Sequence, residues 1–145
     1  MEDEIKERPS VVVGALVVNP EGKILLARSA KWQNKYTIPG GHIEAGEKMA
    51  DAVVREVKEE TGQDVFDVRF LIALEGVYDA GFWKKKHFVF LDHECKTRSS
   101  NVKLNEELSG PIWVPPREAL HLDLAPFIGQ IVQAYLKKES SPGTK

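Results

Sequence analysis

The sequence has little cysteine, no excess of basic residues and no long apolar segment. Its 145 residues include a single cysteine, Cys95, which excludes an internal disulfide. The formal net charge is −2, so no global positive field favours nucleic acid or an anionic membrane. No apolar segment approaches the roughly 20 residues that a membrane-spanning helix needs. We therefore expect a cytoplasmic protein with no membrane partner and no stable nucleic-acid partner.

The rest of the composition is typical of one globular domain. Charged residues make up 29% and hydrophobic residues 42% of the chain, which is long enough for one sizeable core. The first ten residues, MEDEIKERPS, are charged and lack the apolar segment of a secretory signal. We predict a flexible lead at residues 1–9, a single domain at 10–138 and a disordered tail at 139–145.

Apolar segments along the chain predict strands interrupted by a helix and followed by another. The predicted strands are residues 11–18, 23–28, 36–38, 65–77, 87–91 and 112–114, with one helical turn at 117–120. Residues 47–61 are predicted to form a helix ended by Gly62, and residues 127–138 an amphipathic helix. The segment PGG at 39–41 is predicted to interrupt regular structure. This order predicts an α/β fold in which a mixed sheet has helices on its faces.

Three glutamates lie on two successive turns of the first predicted helix. At about 100° per residue, Glu56 and Glu60 share the azimuth of the apolar face rather than the opposite, solvated face, and Glu59 flanks them. The predicted core stripe is Met49, Ala50, Val53 and Val57. Like charges four residues apart destabilise a helix, and partial burial raises that cost. A divalent cation would compensate, because Mg²⁺ binds carboxylates together with substrate phosphates.

The loop before this helix contains Gly40, Gly41 and Gly46. Glycines let the backbone turn tightly and approach a ligand closely. Carbonyl oxygens in such a loop can complete a metal shell, and free N–H groups near a helix start can bind phosphate. Coupled to the three glutamates, the loop predicts a site for a metal ion and phosphate.

Together the loop and helix resemble the signature of the Nudix hydrolases, G-x5-E-x7-R-E-U-x-E-E-x-G-U, where U is a bulky apolar residue. The matching residues are Gly41, Glu47, Arg55, Glu56, Val57, Glu59, Glu60 and Gly62. Gln63 stands at the last apolar position, where we expect it to affect packing more than chemistry. The resemblance covers most of residues 10–138 and implies a Nudix-type α/β/α sandwich with a central mixed sheet.

The resemblance also implies an activity, the hydrolysis of a nucleoside diphosphate linked to another group, with Mg²⁺ or Mn²⁺ as the cofactor. The implied metal ligands are Glu56, Glu60 and the carbonyl oxygen of Gly40 or Gly41. Glu59 would be either a further ligand or the base that activates water. Arg55 would pair with a glutamate such as Glu47 and hold the helix against the loop. An orienting role suits Arg55, because it points away from the predicted metal face.

Several residues outside the signature are further candidates. Many Nudix enzymes use another carboxylate from a later loop, and Glu107 is the candidate here; the alternative is an ordinary polar loop. Substrate contacts are predicted for the backbone of Gly41 and for four side chains, each of which has a structural alternative. Arg28 could contact a phosphate or form a surface salt bridge, and Lys84 could contact the polyphosphate or lie at an exposed hairpin tip. Trp32 could lie beside a base or in the core, and His42 could lie near the phosphates or be a loop histidine. His93 and Cys95 are interpreted as structural.

The favoured substrate is a nucleoside triphosphate, cleaved to monophosphate and pyrophosphate, because residues 102–124 resemble that branch of the family. Tyr78, fifteen residues past Gln63, keeps a diadenosine polyphosphate hydrolase open. An ADP-ribose hydrolase is disfavoured, since no proline lies between Pro39 and Pro111. The alternative of another class is a nucleotide sensor without catalysis. Many relatives form homodimers, but no segment here predicts one.

Overall fold

The computed structural model describes residues 7–140, which form a mixed sheet and its covering helices. The strands are β1 (Ser10–Val18), β2 (Ile24–Ser29), β3 (Lys35–Thr37), β4 (Gly40–His42), β5 (Val65–Val77), β6 (His87–Thr97) and β7 (Ser109–Val114). The helices are α1 (Met49–Thr61), α2 (Pro116–Ala119) and α3 (Ile128–Glu139), with a 3-10 turn at Ala30–Trp32. The main strand order is β3-β2-β1-β6-β5, with β4 on β1 and β7 on β2. Only β1 and β6 run parallel among these pairs, so the sheet is mixed as predicted.

Alternate side chains of β1 face opposite sides of the sheet, because successive residues of a strand point in opposite directions. Val13 and Val17 pack with Val53 of α1, and all three are at most 2% exposed. Leu16 packs with Ile131 of α3 on the other face. A helix therefore covers each face of the sheet, which confirms the predicted α/β/α sandwich.

The segment predicted to interrupt regular structure forms β4 instead. β1 pairs with β2 only at Val18, the last residue of β1. The earlier residues on the same edge of β1 therefore need other partners for their backbone groups. Gly40 and Gly41 supply them by pairing with Gly14 and Val13. Composition could not predict β4, because glycine has little preference for strands. Gly40 and Gly41 form a strand here because their backbone groups pair with those of β1.

Other boundaries also differ from prediction. β6 continues to Thr97 instead of ending at 91. The apolar pattern ends at 91 because Asp92 and Glu94 are polar, but both are buried within the strand. The core stripe of α1 was predicted wrongly at Met49 and Ala50, which are exposed, since burial begins only one turn later. The buried residues of α1 are Ala52, Val53, Val57, Glu60 and Thr61.

The predicted ends of the domain are only partly within the described chain. Residues 7–9 are exposed and have no regular secondary structure, whereas residues 1–6 of the predicted lead lie outside the described residues. Glu139, which we assigned to a disordered tail, belongs to α3, and residues 141–145 again lie outside the description. Within residues 7–140, no helix is long and apolar enough to cross a membrane.

Candidate active site

A cavity of about 490 Å³ lies beside the glycine loop, and residues of β1, β6 and α1 line it. Two groups of side chains line it. The acidic part consists of Glu56, Glu59, Glu60 and Glu107. The aromatic part consists of Trp32, Phe82, Phe88, Phe90 and Phe127. One cavity thus combines carboxylates with flat apolar rings.

Arg55 connects the loop to α1 and organises the acidic part. Its Nε and one terminal nitrogen donate to the two carboxylate oxygens of Glu47 at 2.7 and 2.9 Å. Its other terminal nitrogen donates to Glu56 at 3.0 Å and to Glu59 at 3.3 Å. A further bond reaches the carbonyl oxygen of His42 at 3.0 Å. The guanidinium therefore fixes the loop and orients two of the three signature carboxylates.

The contact between Arg55 and Glu47 shifts the pKa of both side chains. Hydrogen bonding from Arg55 lowers the pKa of Glu47 to about 2, and the backbone N–H of Glu44 contributes to the same shift. The carboxylate of Glu47 in turn raises the pKa of Arg55. The sequence predicted such a pairing, and the structure contains it as a bidentate contact, the strong geometry for Arg and carboxylate.

Glu60 is the most buried acid of the signature, with 8% of its surface exposed. Burial raises its pKa to about 9, and the neighbouring carboxyl of Glu56 and the charge of Glu107 add to the rise. The backbone N–H of Gly40 donates to its Oε1 at 3.2 Å and opposes part of that shift. Glu60 therefore sits where a negative charge lacks compensation from the protein.

Gly41 allows this packing because it has no side chain. A Cβ at Gly41 would overlap the carboxyl group of Glu56, so a larger residue here would displace one of the signature acids. The spacing between the loop glycine and the helix therefore has a steric reason as well as a conformational one.

Glu107 reaches the acidic part from a distant loop. The backbone N–H of Asn105 donates to the carbonyl oxygen of Glu60 at 3.1 Å, which ties that loop to the end of α1. Asn105 also accepts a bond from the N–H of Glu107 at 2.9 Å, and Lys31 lies 3.3 Å from the Glu107 carboxylate. The candidate carboxylate predicted outside the signature thus lines the same cavity.

The acidic part has the ligand chemistry of a metal site but not the arrangement of one. Within residues 7–140, no three His, Cys, Asp or Glu side chains are arranged as a ready metal-ligand set. The contacts explain this, because Arg55 engages Glu56 and Glu59 while Glu60 bonds to Gly40. The donor chemistry nevertheless fits a hard divalent cation, since three carboxylates of one helix lie beside a backbone loop and one of them is buried without a cation. Such an ion would supply the missing charge compensation at Glu60.

The predicted substrate residues divide into two groups. Trp32, Gly41 and His42 line the cavity. Arg28 and Lys84 do not line it, as far as the described chain shows. Arg28 instead donates to the hydroxyl of Tyr36 at 3.2 Å and stacks over that ring, and Lys84 lies 4.9 Å from the centre of the Trp83 ring. Lys84 is exposed between β5 and β6, as its structural alternative required. Arg28 makes a hydrogen bond and a ring contact, which is neither of the two roles predicted for it.

Sequence reasoning missed Asp92 and most of the aromatic part. Asp92 is 2% exposed, lines the cavity and leaves its Oδ2 without a hydrogen-bond partner among the described residues. The available signals were an acid inside an apolar strand and the lone glycine of VVVGALVV, since Gly14 pairs with Asp92. The neighbouring His93 and Cys95 are buried and bonded to the backbone, as a structural role requires.

The hydrolase class that this sheet and its acidic cavity define also appears in comparisons with known proteins. A family model described as the NUDIX domain matches residues 8–135. Nucleoside triphosphatase NudI of Escherichia coli K12 is 28% identical over 132 residues, covering 81% of this chain and 89% of that protein.

Solved structures are similar in fold. The NUDIX domain of Shewanella oneidensis NrtR, crystallised with ADP ribose, has a TM-score of 0.78 at 17% identity and covers 93% of this chain and 91% of that one. The MutT protein of Methanosarcina mazei Go1 has a TM-score of 0.74 at 22% identity, with coverages of 95% and 100%. The chain belongs to the Nudix family and is a hydrolase acting on pyrophosphate bonds.

Proposed function

We propose that this protein uses Mg²⁺ to hydrolyse a nucleoside triphosphate to the monophosphate and pyrophosphate. The observation that carries the proposal is the acidic part beside a set of aromatic rings in one cavity, which matches a substrate with phosphates at one end and a base at the other. The similarity to a protein named nucleoside triphosphatase supports the choice of substrate. We further propose the cytoplasm as the setting, and Mn²⁺ as a substitute for Mg²⁺.

In this proposal the three signature carboxylates would hold the metal and the reacting water. Glu56 and Glu60 would be ligands, and the carbonyl oxygen of Gly40 would add a further oxygen. Glu59, the most exposed of the three with 55% of its side chain accessible, accepts the proton from water. When bound, the ion supplies charge neutralisation of the pyrophosphate and lowers the pKa of the attacking water.

The remaining residues position the reactants. Arg55 orients Glu56 and Glu59 through its bonds to both, and Glu107 contributes a further carboxylate. Gly41 and His42 border the phosphates, while Trp32 borders the base. Water adds to one phosphorus of the α–β anhydride as the bond to the bridging oxygen breaks. Positioning and charge neutralisation account for most of the catalysis in such phosphoryl transfers.

The test is a substrate panel with Mg²⁺: the common NTPs and dNTPs, ADP-ribose, diadenosine tetraphosphate and GDP-mannose, with products separated by chromatography. One triphosphate class should give monophosphate and pyrophosphate. Glu60→Gln should reduce kcat/KM by about 100-fold or more, because it removes a metal-binding charge. Glu118→Gln, at an exposed position of α2, is the control and should match the wild type.

Other outcomes would change the proposal in defined ways. Preference for the dinucleotide or a nucleotide sugar would overturn the substrate and keep the hydrolase. Equal activity of Glu60→Gln and wild type would remove Glu60 from the metal site. No turnover of any substrate, combined with a nucleotide-dependent rise in melting temperature, would favour the sensor function instead.

A further inference from the structure

One buried carboxyl in the cavity has no part in the hydrolytic roles assigned above. Asp92 lies on β6, is 2% exposed and lines the cavity. Its Oδ2 has no hydrogen-bond partner within the described residues. Buried polar groups are nearly always paired, because an unpaired one has lost its bonds to water without replacement. An unpaired carboxyl at the wall of a cavity therefore indicates that a ligand supplies the partner.

The sheet is built around this carboxyl. Asp92 pairs with Gly14 of β1, and a Cβ at Gly14 would overlap the Asp92 Oδ1. Glycine inside a strand is unfavourable unless something approaches the backbone closely. Gly14 is the sole glycine of β1 and also lines the cavity. The glycine and the aspartate thus form one feature made by two strands.

A second buried acid on the same face of β6, Glu94, differs from Asp92 because it is paired with a cation. Glu94, two residues after Asp92, accepts a bond of 2.6 Å from the ammonium of Lys138 on α3. Asp92 has no such cation among its described contacts, and burial alone raises its pKa to about 7. A carboxyl that retains its proton has one O–H donor and one carbonyl acceptor side by side.

Aromatic rings lie next to this carboxyl. Phe90 and Phe88 precede Asp92 at two-residue spacing on the same face of β6, and their rings are stacked with centroids 5.0 Å apart. The centroid of the Trp32 ring lies 6.1 Å from that of Phe88 and 6.4 Å from that of Phe90. Flat apolar walls beside a hydrogen-bonding group suit a nucleobase, whose faces stack and whose edge forms hydrogen bonds.

The position along the sheet also fits. Asp92, Gly14 and Gly40 are successive partners across β6, β1 and β4. Two strand spacings, about 10 Å, therefore separate Asp92 from the glycine loop. That distance leaves room for a sugar and a phosphate between a base edge at Asp92 and the acidic part.

We propose that Asp92 is a base-binding residue that pairs with a nucleobase edge on which an N–H donor lies beside a carbonyl or ring-nitrogen acceptor. The carboxyl O–H donates to the acceptor of the base, and the carboxyl C=O accepts from its N–H. The inference rests on the proposed function, because it assumes that a nucleotide occupies this cavity. It adds the residue that recognises the base.

The test measures binding of AMP, CMP, GMP and UMP by titration calorimetry, which requires no turnover. Asp92→Leu should weaken the tightest of these by at least about tenfold, because it removes both hydrogen bonds. Asp92→Asn should stay within about threefold of the wild type, since a carboxamide also has a donor beside an acceptor. Glu94→Gln is the matched control on the same strand face and should bind as the wild type does. Ribose 5-phosphate, which has no base, should bind all four proteins equally.

Three results would overturn the inference. Asp92→Leu could bind the monophosphates as tightly as the wild type does, or Asp92→Asn could lose as much affinity as Asp92→Leu. The third result is a wild type that binds every nucleoside monophosphate no more tightly than ribose 5-phosphate. Kinetics separate this from the proposed function. Turnover of a triphosphate with an unchanged KM in Asp92→Leu would keep the hydrolase and reject Asp92. Base-dependent binding lost in Asp92→Leu, without turnover in the wild type, would keep Asp92 and reject the triphosphatase. Thermal melting of each variant establishes that it is folded.

Discussion

At the scale of single residues, two buried acids of the cavity differ in what surrounds them. Glu60 lies beside Glu56 and near Glu107, so burial and like charge both raise its pKa. Asp92 has burial as the cause of its raised pKa and no charged neighbour contributing to it. Glu60 therefore suits a cation, whereas Asp92 suits a neutral hydrogen-bonding ligand.

The pKa of Asp92 makes stability depend on pH. It is about 7 in the folded chain, against about 3.9 in an unfolded one. Folding therefore favours the protonated form, and the aspartate destabilises the fold increasingly as pH rises from about 4 to about 7. Asp92→Asn, which cannot ionise, should gain unfolding free energy relative to wild type on going from pH 5 to pH 8, on the order of 2 kcal/mol. Urea unfolding at the two pH values measures this.

Asp123→Asn, an exposed position, corrects for the loss of a carboxylate in general. A difference between Asp92→Asn and wild type that is the same at pH 5 and pH 8 would contradict the raised pKa. Such a result would mean that water or a rearranged neighbour solvates the Asp92 carboxyl.

At the scale of elements, the loop and α1 act as one unit because contacts at both ends fix the helix. Arg55 ties its first half to the loop through Glu47. Beyond its C-terminal end, the side-chain amide of Gln63 donates to the carbonyl oxygens of Ser99 and Asn101 at 2.6 and 2.8 Å. The departure from the family signature at Gln63 is thus part of the packing of this helix end.

Breaking the first tie should affect catalysis more than stability. Glu47→Gln removes a charged, bidentate partner of Arg55, so Glu56 and Glu59 lose their fixed orientation. We expect kcat to fall by about tenfold or more, because small misplacements of catalytic groups reduce rates strongly. The melting temperature should change less, because the side-chain oxygen of glutamine can still accept a hydrogen bond from Arg55 and only the charge of the pair is lost.

Glu44→Gln is the matched control for this change. Its carboxylate lies 3.9 Å from Arg55 and its side chain is 69% exposed, so its loss should have a smaller effect on kcat. Equal rates for Glu47→Gln and Glu44→Gln would show that the bidentate contact has no special part in orienting the carboxylates.

At the scale of the whole molecule, the acidic part places negative charge where the protein alone does not neutralise it. A metal ion that binds the folded chain but not the unfolded one should therefore stabilise the fold. The expected gain is about 2.7 kcal/mol when free Mg²⁺ is a hundredfold above its dissociation constant. Differential scanning calorimetry with MgCl₂, compared with NaCl at equal ionic strength, measures it.

Glu60→Gln should lose most of this metal-dependent gain, while Glu118→Gln should keep it. A melting temperature that responds equally to Mg²⁺ and to Na⁺ would indicate screening alone and would contradict a specific site.

Local chemistry allowed much of the fold and the acidic part to be predicted. Helical spacing places Glu56 and Glu60 one turn apart on one face, whatever the rest of the chain does. The strands at 11–18 and 65–77 are predicted nearly to the residue. The first is a buried β-branched segment, and the second shows alternation of apolar and polar side chains. The positive φ of Gly62, 74°, ends α1 as the sequence predicts.

The sequence by itself therefore determined the hydrolase signature, because its 23 residues act through one loop and one helix. Only the tertiary structure decided which distant residues join them. Asp92 meets Gly14 across 78 positions of sequence, and strand register alone brings them together. Arg28 and Lys84 stack on Tyr36 and Trp83 instead of lining the cavity. Such contacts depend on long-range pairing, which leaves no spacing pattern in the sequence, so the place of Asp92 in the cavity became visible only in the folded chain.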